Sequence, residues 1–271
     1  MTQKTGFIGG GNMATALING MLSNGINPSS IYVADPDQTQ QEALLALNSS
    51  INLFSDGAEL LNPIDTLILA VKPQIMQAVV EPLANKIKAD TLIVSVAAGV
   101  PIEKLFQWLG REMAIIRCMP NTPSLVGCGA SGLFANALVS PEQKTSVAEL
   151  FNTVGITAWL DSEAAIDHVI AVSGSGPAYF FYLMELMQKT GTELGLTAEL
   201  AQALTIQTAL GAAQLASQSD DNPATLRNKV TSKGGTTAAA IELMQAQGMD
   251  ETIKKAMLAA VTRATELADE I

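Results

Sequence analysis

Histidine, cysteine and aromatic residues are scarce in this chain of 271 residues. It has one histidine, His168, and two cysteines, Cys118 and Cys128, while aromatic residues make up 4%. Two cysteines are too few for a disulfide framework or a metal knuckle, so we expect buried free thiols. A single histidine cannot supply a histidine-based metal site or a catalytic triad, and we expect no metal.

Positive charge is also scarce. The chain has 15 Lys and Arg against 26 Asp and Glu, a net charge of −11, and its basic residues form no cluster. Nucleic acid and anionic membranes are therefore excluded as partners. The uncharged run 168–184 contains a glycine-rich interruption and is too short for a spanning helix, and the N-terminus lacks a signal-peptide pattern. We expect a soluble, cytoplasmic protein.

Length and composition predict two well-buried domains. Apolar residues make up 48% and charged residues 15%, as is typical of a compact chain with little disorder. A chain of 271 residues exceeds the usual size of one domain. Strand patterns recur up to residue 161, and helices rich in Ala, Leu and Met follow. The predicted domains are residues 1–161 and residues 162–271.

Short apolar runs alternate with helical patterns in the first domain. The strand-like runs are 5–8, 31–34, 66–71, 92–96 and 115–117, with weaker ones at 131–134 and 157–160. The helical patterns are 12–24, 38–47, 75–87, 102–109 and 141–154. Apolar strands joined by helices build a parallel sheet that is covered on both faces. The sequence predicts an α/β fold, a doubly wound parallel sheet of the Rossmann type followed by an all-α domain.

A glycine-rich segment follows the first predicted strand. Gly9, Gly11 and Ala14 have the spacing G-x-G-x-x-A and open a helix. Gly9 permits the tight turn, Gly11 lets a pyrophosphate approach the backbone, and Ala14 lets helix and strand pack closely. The helix N-terminus supplies N–H donors to the anion. The segment predicts a nicotinamide dinucleotide, and its alternative is a glycine turn without a ligand.

Asp35 ends the second predicted strand, where an acidic residue binds the ribose 2′-hydroxyl of NAD. No Arg follows it to receive the 2′-phosphate of NADP. The alternative is that Asp35-Pro36-Asp37 is only a turn. The choice between NAD and NADP stays open on these residues.

Three later loops also follow strand ends, at 70–73, 97–99 and 119–123. The small residues Ala97, Ala98 and Gly99 would let a nicotinamide ring lie against the backbone, and Asn121 or Thr122 could hydrogen-bond its amide. Ordinary strand-to-helix turns are the alternative for each loop.

A second glycine-rich segment, residues 233–237, opens a helix far from the first one. Its backbone N–H groups and the helix dipole would hold a carboxylate. The alternative is that two glycines break a helix and two threonines cap the next one. Two such segments in one chain suggest two anionic ligands that are brought together.

Six motifs occur in one order along the chain. They are Phe7-Ile8-Gly9-Gly10-Gly11-Asn12-Met13, Ala70-Val71-Lys72-Pro73, Val96-Ala97-Ala98-Gly99-Val100, Met119-Pro120-Asn121-Thr122-Pro123, Ser173-Gly174-Ser175-Gly176-Pro177-Ala178-Tyr179 and Ser232-Lys233-Gly234-Gly235-Thr236-Thr237. With them the chain resembles the pyrroline-5-carboxylate reductase family from residue 5 to residue 268. The resemblance implies reduction of 1-pyrroline-5-carboxylate to L-proline, the last step of proline biosynthesis, with NADPH or alternatively NADH. It also implies a homodimer with interlocking helical domains, often built into a larger ring.

The resemblance also implies the site residues. Those of the cofactor site are Gly9, Gly10, Gly11, Asn12, Met13, Asp35, Ala70, Val71, Lys72, Pro73 and Ala97, beside Asn121 from its loop position. Those of the substrate site are Asp220, Ser232, Gly235, Thr236 and Thr237, beside the N–H of Gly234. Thr237 takes the place of the family's threonine beside the ring nitrogen and is the expected catalytic residue. Lys233 is a departure, because the family usually has proline there.

Two other functions share this architecture. A hydroxyacid dehydrogenase would need a lysine on the long helix after the 173–177 turn, and residues 178–187 contain none. A dinucleotide-binding sensor without catalysis would have little physical reason to keep the constellation 232–237. Both count as weaker alternatives to the reductase.

Overall fold

The computed structural model describes residues 3–270, apart from the side chain of Asp269. These residues divide into two compact units. The first unit contains residues up to 175 together with the end of the chain from residue 260, and the second contains residues 176–259. Each unit is described by itself.

The first unit is built on one eight-stranded sheet. Its strands are β1 (Thr5–Ile8), β2 (Ile31–Ala34), β3 (Asn52–Phe54), β4 (Thr66–Leu69), β5 (Leu92–Ser95), β6 (Ile115–Met119), β7 (Gly129–Ala135) and β8 (Gly155–Trp159). Its helices are α1 (Asn12–Ser23), α2 (Gln38–Leu47), α3 (Gly57–Leu60), α4 (Pro73–Val80), α5 (Ile102–Leu109), α6 (Pro141–Asn152) and α7 (Ala165–Val169). Short 3₁₀ turns lie at Pro28–Ser30, Glu81–Leu83 and Thr122–Val126, and a π-helical turn at Ile170–Gly174.

The strand order is β3-β2-β1-β4-β5-β6-β7-β8. Strands β1 to β6 are parallel, β7 runs antiparallel to β6, and β8 runs parallel to β7. The order changes direction between β1 and β4, so this pair forms the switch point at which doubly wound folds bind ligands. The expected α/β architecture is confirmed, with β7 and β8 added in the direction opposite to that of β1 to β6.

Both faces of the sheet are buried. Successive side chains of a strand point to opposite faces, so an apolar strand packs on both sides. Phe7 packs on one face in a cluster with Leu17 and Phe151, while its neighbour Ile8 packs on the other face with Met76. Burying such side chains contributes about 1.5–3 kcal/mol each. The strands are therefore held rigidly, and the loops at their ends start from fixed positions.

Several helices start where the sequence supplies a cap. The side chain of Asp37 accepts a hydrogen bond from the N–H of Thr39 at the start of α2, and Ser140 with Gln143 forms a capping box on α6. At the other end, Gly110 closes α5 in the left-handed conformation with φ +66°. Because such caps can be recognised from neighbouring residues, the predicted ranges of α2 and α5 agree with the observed ones.

Other elements differ from the prediction. β3 and α3 were not predicted, because a three-residue, half-buried strand and a four-residue helix give little periodicity. The predicted helix 75–87 ends at Val80 and passes into the 3₁₀ turn that contains Pro82. Cys118 is buried as expected, whereas Cys128 is exposed in the turn before β7.

The two units divide after residue 175, later than the expected boundary at 161. The intervening segment contains α7, whose Ile166 is 1% exposed, and Glu163, which is hydrogen-bonded to Ile102 and Arg117. These contacts hold the segment on the sheet, although its composition resembles that of the helices that follow.

The second unit is entirely helical. Its helices are α8 (Gly176–Glu193), α9 (Ala198–Ser217), α10 (Pro223–Lys229), α11 (Thr236–Ala246) and the first half of α12 (Met249–Glu270). Large apolar side chains of these helices are exposed, among them Phe180, Phe181, Leu215 and Leu243, each 62% or more. Apolar surface of this extent is typical of a protein interaction site. No helix among residues 3–270 is long and apolar enough to cross a bilayer.

Candidate functional site

The predicted cofactor residues come together at one edge of the sheet. Gly9 follows β1, Asp35 follows β2, Ala70 follows β4, and Ala97 follows β5. Because these strands are parallel neighbours, their carboxyl ends meet at the same edge, on both sides of the switch point. The sequence motifs therefore converge on one place.

The glycine turn after β1 is shaped by two contacts. Gly9 has φ +95° and donates its N–H to the carbonyl of Ala34 at 2.9 Å. A Cβ on Gly9 would lie 2.7 Å from the carbonyl oxygen of Ala70, so that a side chain has no space. A Cβ on Gly11 would meet no atom of the described residues within 4 Å. Protein packing explains the glycine at position 9, whereas the open space at Gly11 fits the close approach of a ligand.

The N-terminus of α1 opens onto this turn. Gly11 is the N-cap residue, and no side chain among the described residues caps the first turn of the helix. The N–H groups at Asn12 and Met13 precede the first internal helical bond, from Thr15 to Gly11. Unsatisfied donors and the helix dipole make this a site for an anion such as a pyrophosphate.

Asp35 is fixed against the glycine turn. Its Oδ2 accepts a hydrogen bond from the N–H of Gly10 at 2.7 Å, and its Oδ1 accepts one from the N–H of Asp37 at 2.9 Å. A carboxylate has room for further hydrogen bonds, so it can still accept one from a ribose hydroxyl. Asp35 thus both shapes the turn and holds a negative charge at the end of β2, and the sequence indicated only the second role.

The loop after β4 lies beside the glycine turn. The N–H of Ala70 donates to the carbonyl of Ile8 at 2.8 Å, which continues the sheet up to the loop. Val71 is half-buried, and Lys72 is exposed at the N-cap position of α4, which Pro73 begins. The loop therefore places one cation at the predicted cofactor edge.

The loop after β5 is tightly held. Ala97 is 7% exposed, and Gly99 has φ +70°. A Cβ on Gly99 would lie 3.3 Å from the Cβ of Leu267 near the end of α12. Small side chains at Ala97, Ala98 and Gly99 leave little bulk between this backbone and a flat ring that would pack on it.

Asn121 is 8% exposed, and its polar atoms hold the backbone of the protein itself. Its Nδ2 donates to the carbonyl of Ser173 at 3.0 Å, and its Oδ1 accepts from the N–H of Ala130 at 2.9 Å. These contacts tie the loop after β6 to β7 and to the π-helical turn. They give Asn121 a structural role that the sequence did not indicate, and its contact with the nicotinamide amide stays a prediction.

The predicted substrate residues lie in the second unit, at the turn before α11. Gly234 has φ +72°, and the N–H of Gly235 donates to the carbonyl of Ser232 at 3.0 Å. A Cβ on Gly235 would lie 2.5 Å from the hydroxyl oxygen of Ser232. The turn therefore depends on Gly234 for its left-handed conformation, and a side chain at position 235 would require the Ser232 hydroxyl to rotate away.

The start of α11 offers a second set of free donors. Gly235 is the N-cap residue, and no side chain of the described part of the chain caps this helix. Thr236 and Thr237 occupy its first turn with exposed side chains, while Ala238 behind them is 8% exposed. A carboxylate at this helix end would be held by backbone N–H groups with two hydroxyl groups beside it.

Two aspartates differ in the loop before α10. Asp221 accepts hydrogen bonds from Lys229 and from its own loop through Ser219, so its charge is already paired. Asp220, the predicted substrate residue, is exposed. The carboxylate of Asp220 is therefore accessible to a ligand.

Comparisons with known proteins agree with this arrangement. Residues 163–267 match the family model described as pyrroline-5-carboxylate reductase dimerisation, and residues 4–99 match one described as NADP oxidoreductase, coenzyme F420-dependent. The pyrroline-5-carboxylate reductase of Pseudomonas aeruginosa is 48% identical over 270 residues, which cover 100% of this chain and 98% of that protein.

Solved structures show the same similarity. A pyrroline-5-carboxylate reductase from Coxiella burnetii has a TM-score of 0.92 and 39% identity, and the match covers 99% of both chains. The pyrroline carboxylate reductase of Plasmodium falciparum, with NADP bound, has a TM-score of 0.87 and 30% identity over 98% of both chains. The six sequence motifs, the switch-point edge and the full-length matches place this chain in the pyrroline-5-carboxylate reductase family.

Proposed function

We propose that this chain reduces 1-pyrroline-5-carboxylate to L-proline with NADPH, and with NADH as the alternate cofactor. The observation that carries the proposal is the turn 232–237, which offers free helix donors and two hydroxyl groups in a chain of this family. The substrate has the matching groups, a carboxylate beside a cyclic C=N bond. Its relatives of full length are named for this reaction.

The first unit would hold the cofactor. The free N–H groups at the start of α1 would bind the pyrophosphate, and the backbone of the Ala97 loop would support the nicotinamide ring. The family model that matches this part is described for NADP, and the Plasmodium relative has NADP bound. Lys72 supplies a positive charge at this edge, while Asp35 adds a negative one. When bound, the cofactor supplies the hydride.

The second unit would hold the substrate. The N–H groups of Gly234 to Thr237 would bind its carboxylate through hydrogen bonds and the helix dipole. Fixing the carboxylate restricts the orientation of the C=N bond, and orientation alone can lower a barrier by several kcal/mol. Asp220 would lie near the nitrogen side of the ring.

Thr237 would act at the nitrogen atom. Hydride adds to the carbon of the C=N bond and a proton adds to the nitrogen, so that the imine becomes a secondary amine. The hydroxyl of Thr237 would hydrogen-bond this nitrogen, contributing about 1–3 kcal/mol if the bond strengthens in the transition state. The reaction needs no strong base, which agrees with a chain that has one histidine.

We also propose a homodimer formed through the helical unit, built further into a ring. The exposed apolar side chains of α8, α9 and α11 and the match to the dimerisation family support the dimer. Light scattering on the purified protein measures its mass and distinguishes a monomer, a dimer and a ring. A monomer at micromolar concentration would contradict the proposal.

Absorbance at the reduced-nicotinamide band tests the reaction. Purified protein is mixed with pyrroline-5-carboxylate and either NADPH or NADH in parallel cuvettes. Oxidation that depends on pyrroline-5-carboxylate, with L-proline as product, is the expected result, and it also ranks the cofactors. Tight binding of NADPH without turnover would overturn the reductase in favour of a sensor or another oxidoreductase.

A further inference from the structure

Glu163 connects three segments that are far apart in the sequence. Its Oε1 accepts a hydrogen bond from the backbone N–H of Ile102 at 2.8 Å and another from Nη1 of Arg117 at 2.9 Å. Ile102 is the first residue of α5, and its N-cap residue, Pro101, has no side chain that could accept this bond. Glu163 therefore caps a helix that begins 61 residues before it.

This cap closes the loop 97–101, which connects β5 to α5. At its beginning, the loop is held by the sheet, because the N–H of Val96 donates to the carbonyl of Leu69 at 3.2 Å. In its middle, Gly99 packs against α12. At its end, the carboxylate of Glu163 holds the first N–H of α5, where a negative charge is favoured by the helix dipole. Removing the Glu163 side chain would release the end of the loop that leads into α5.

Arg117 fixes the carboxylate in turn. It lies on β6 opposite Ser95, the last residue of β5, so its side chain starts beside the loop. Arg117 is 4% exposed, and its Nη2 has no hydrogen-bond partner among the described residues. Glu163 is the hydrogen-bonded partner of the guanidinium. Burial raises the pKa of the nearby Asp167 carboxyl, and the charge of Arg117 lowers it in part.

Only one partner of this ion pair is buried, since the Arg117 side chain is 5% exposed and that of Glu163 is 31% exposed. Removing the guanidinium from water offsets much of its attraction to the carboxylate, so the pair is a poor source of stability. The pair instead fixes the orientation of the Glu163 carboxylate, because one of its oxygens accepts hydrogen bonds from both the guanidinium and the N–H of Ile102.

We propose that Glu163, held by Arg117, is a positioning residue that sets the loop 97–101 against the nicotinamide half of the cofactor. This inference rests on the proposed function only in taking that loop as the nicotinamide support. Glu163 acts through the backbone of Ile102, so its loss should weaken contacts of the nicotinamide ring and leave those of the pyrophosphate and adenosine unchanged.

Two ligands separate these contacts in the full-length protein. NADPH contains the nicotinamide ring, whereas 2′-phospho-ADP-ribose has the same pyrophosphate, riboses and adenine without it. Their dissociation constants are measured by calorimetry for two double variants. Arg117→Met with Glu163→Gln keeps an acceptor for the Ile102 N–H, and Arg117→Met with Glu163→Ala removes it. Both double variants lack the buried guanidinium of Arg117, so the two are compared without an unpaired buried cation in either.

We expect the variant with Glu163→Ala to bind NADPH about tenfold more weakly than the variant with Glu163→Gln, the loss expected for one such hydrogen bond. Binding of 2′-phospho-ADP-ribose should be the same for both. An equal loss for the two ligands, or no loss for either, would overturn the positioning role, since either result would mean that the nicotinamide contacts do not depend on the cap.

Asn136→Ala is a matched control. Asn136 also accepts a hydrogen bond from a backbone N–H, that of Ile115 at 3.2 Å, but at the start of β6, away from the cofactor edge. The Asn136→Ala variant should have a lower Tm and an unchanged ratio of the dissociation constants for NADPH and 2′-phospho-ADP-ribose. A changed ratio would overturn the inference. If wild type binds NADPH without reducing pyrroline-5-carboxylate, the proposed function fails, while the ratio still decides the role of Glu163.

Discussion

The carboxylate of Asp35 is bound to the backbone N–H of Gly10 at 2.7 Å, which joins the end of β2 to the glycine turn after β1. The same residue therefore shapes the turn and presents a negative charge where a ribose 2′ group is expected. A negative charge favours a 2′-hydroxyl over a 2′-phosphate, whereas the family's use of NADP requires that the phosphate be accommodated. The two roles can be separated by substitution.

Asp35→Ser should raise the ratio of kcat/KM for NADPH to that for NADH by about tenfold, because the repulsion of the 2′-phosphate is removed. It should also lower the free energy of unfolding by about 1–3 kcal/mol through loss of two hydrogen bonds. Asp35→Asn is the control, since it removes the charge and keeps one acceptor. It should shift the cofactor ratio similarly with a smaller stability loss. An unchanged ratio in both variants would mean that Asp35 does not face the 2′ position.

Gly9→Ala should abolish cofactor binding and lower the free energy of unfolding by about 3 kcal/mol. Its cost has two parts, about 1 kcal/mol for the left-handed backbone and the rest for the clash with Ala70. Gly25→Ala is a matched control, because Gly25 has φ +80° and a Cβ there would meet no atom within 4 Å in the part of the chain that the structure describes. It should show the backbone cost alone, with normal NADPH affinity. Equal losses of stability for the two variants, measured by urea denaturation, would show that Ala70 moves aside.

The parts of the site that were predictable are those that depend on local backbone requirements. Gly9, Gly11 and Ala14 follow from the geometry of one strand-to-helix turn, and Gly234 follows from one left-handed position. A few neighbouring residues in the sequence are therefore sufficient to predict them. The cap on Ile102 could not be predicted in this way, because Glu163 is 61 residues away and its role depends on how α7 packs on the sheet. The same holds for Asn121, whose partner Ser173 is 52 residues away.

In the fold, too, the elements with a strong local sequence pattern were predicted, and those that depend on distant contacts were not. Continuous apolar strands such as β4 and β5 were predicted at nearly the right places, since burial on both faces leaves a clear pattern. β3 was missed because its three residues lie at the sheet edge and are only half-buried. The boundary at residue 161 was predicted from composition, which does not reveal that Glu163 accepts a hydrogen bond from Arg117 on β6.

Asp167→Asn should raise Tm at pH 7 and have little effect near pH 3. Burial raises the pKa of this carboxyl, so the folded state favours the protonated form. The contribution of the group to stability is then fully present below its unfolded pKa, about 3.9, and is lost as pH rises through the folded value. A neutral amide avoids that loss. Asp161→Asn, at an exposed position, corrects for the change in net charge. An equal gain in Tm for the two variants would attribute the effect to net charge alone.

Thr237→Ala should lower kcat by tenfold or more with little change in NADPH affinity or Tm. The side chain is exposed at the start of α11, so its removal costs few contacts, and the proposed hydrogen bond to the ring nitrogen matters mainly in the transition state. Thr237→Ser keeps the hydroxyl and should retain most of the activity. Thr252→Ala removes another exposed threonine hydroxyl of the same unit, one that donates to the carbonyl of Gly248 at 3.1 Å, and should leave kcat unchanged. If Thr237→Ala instead raises only the KM for pyrroline-5-carboxylate, the hydroxyl binds the substrate equally in both states and takes no part in the proton step.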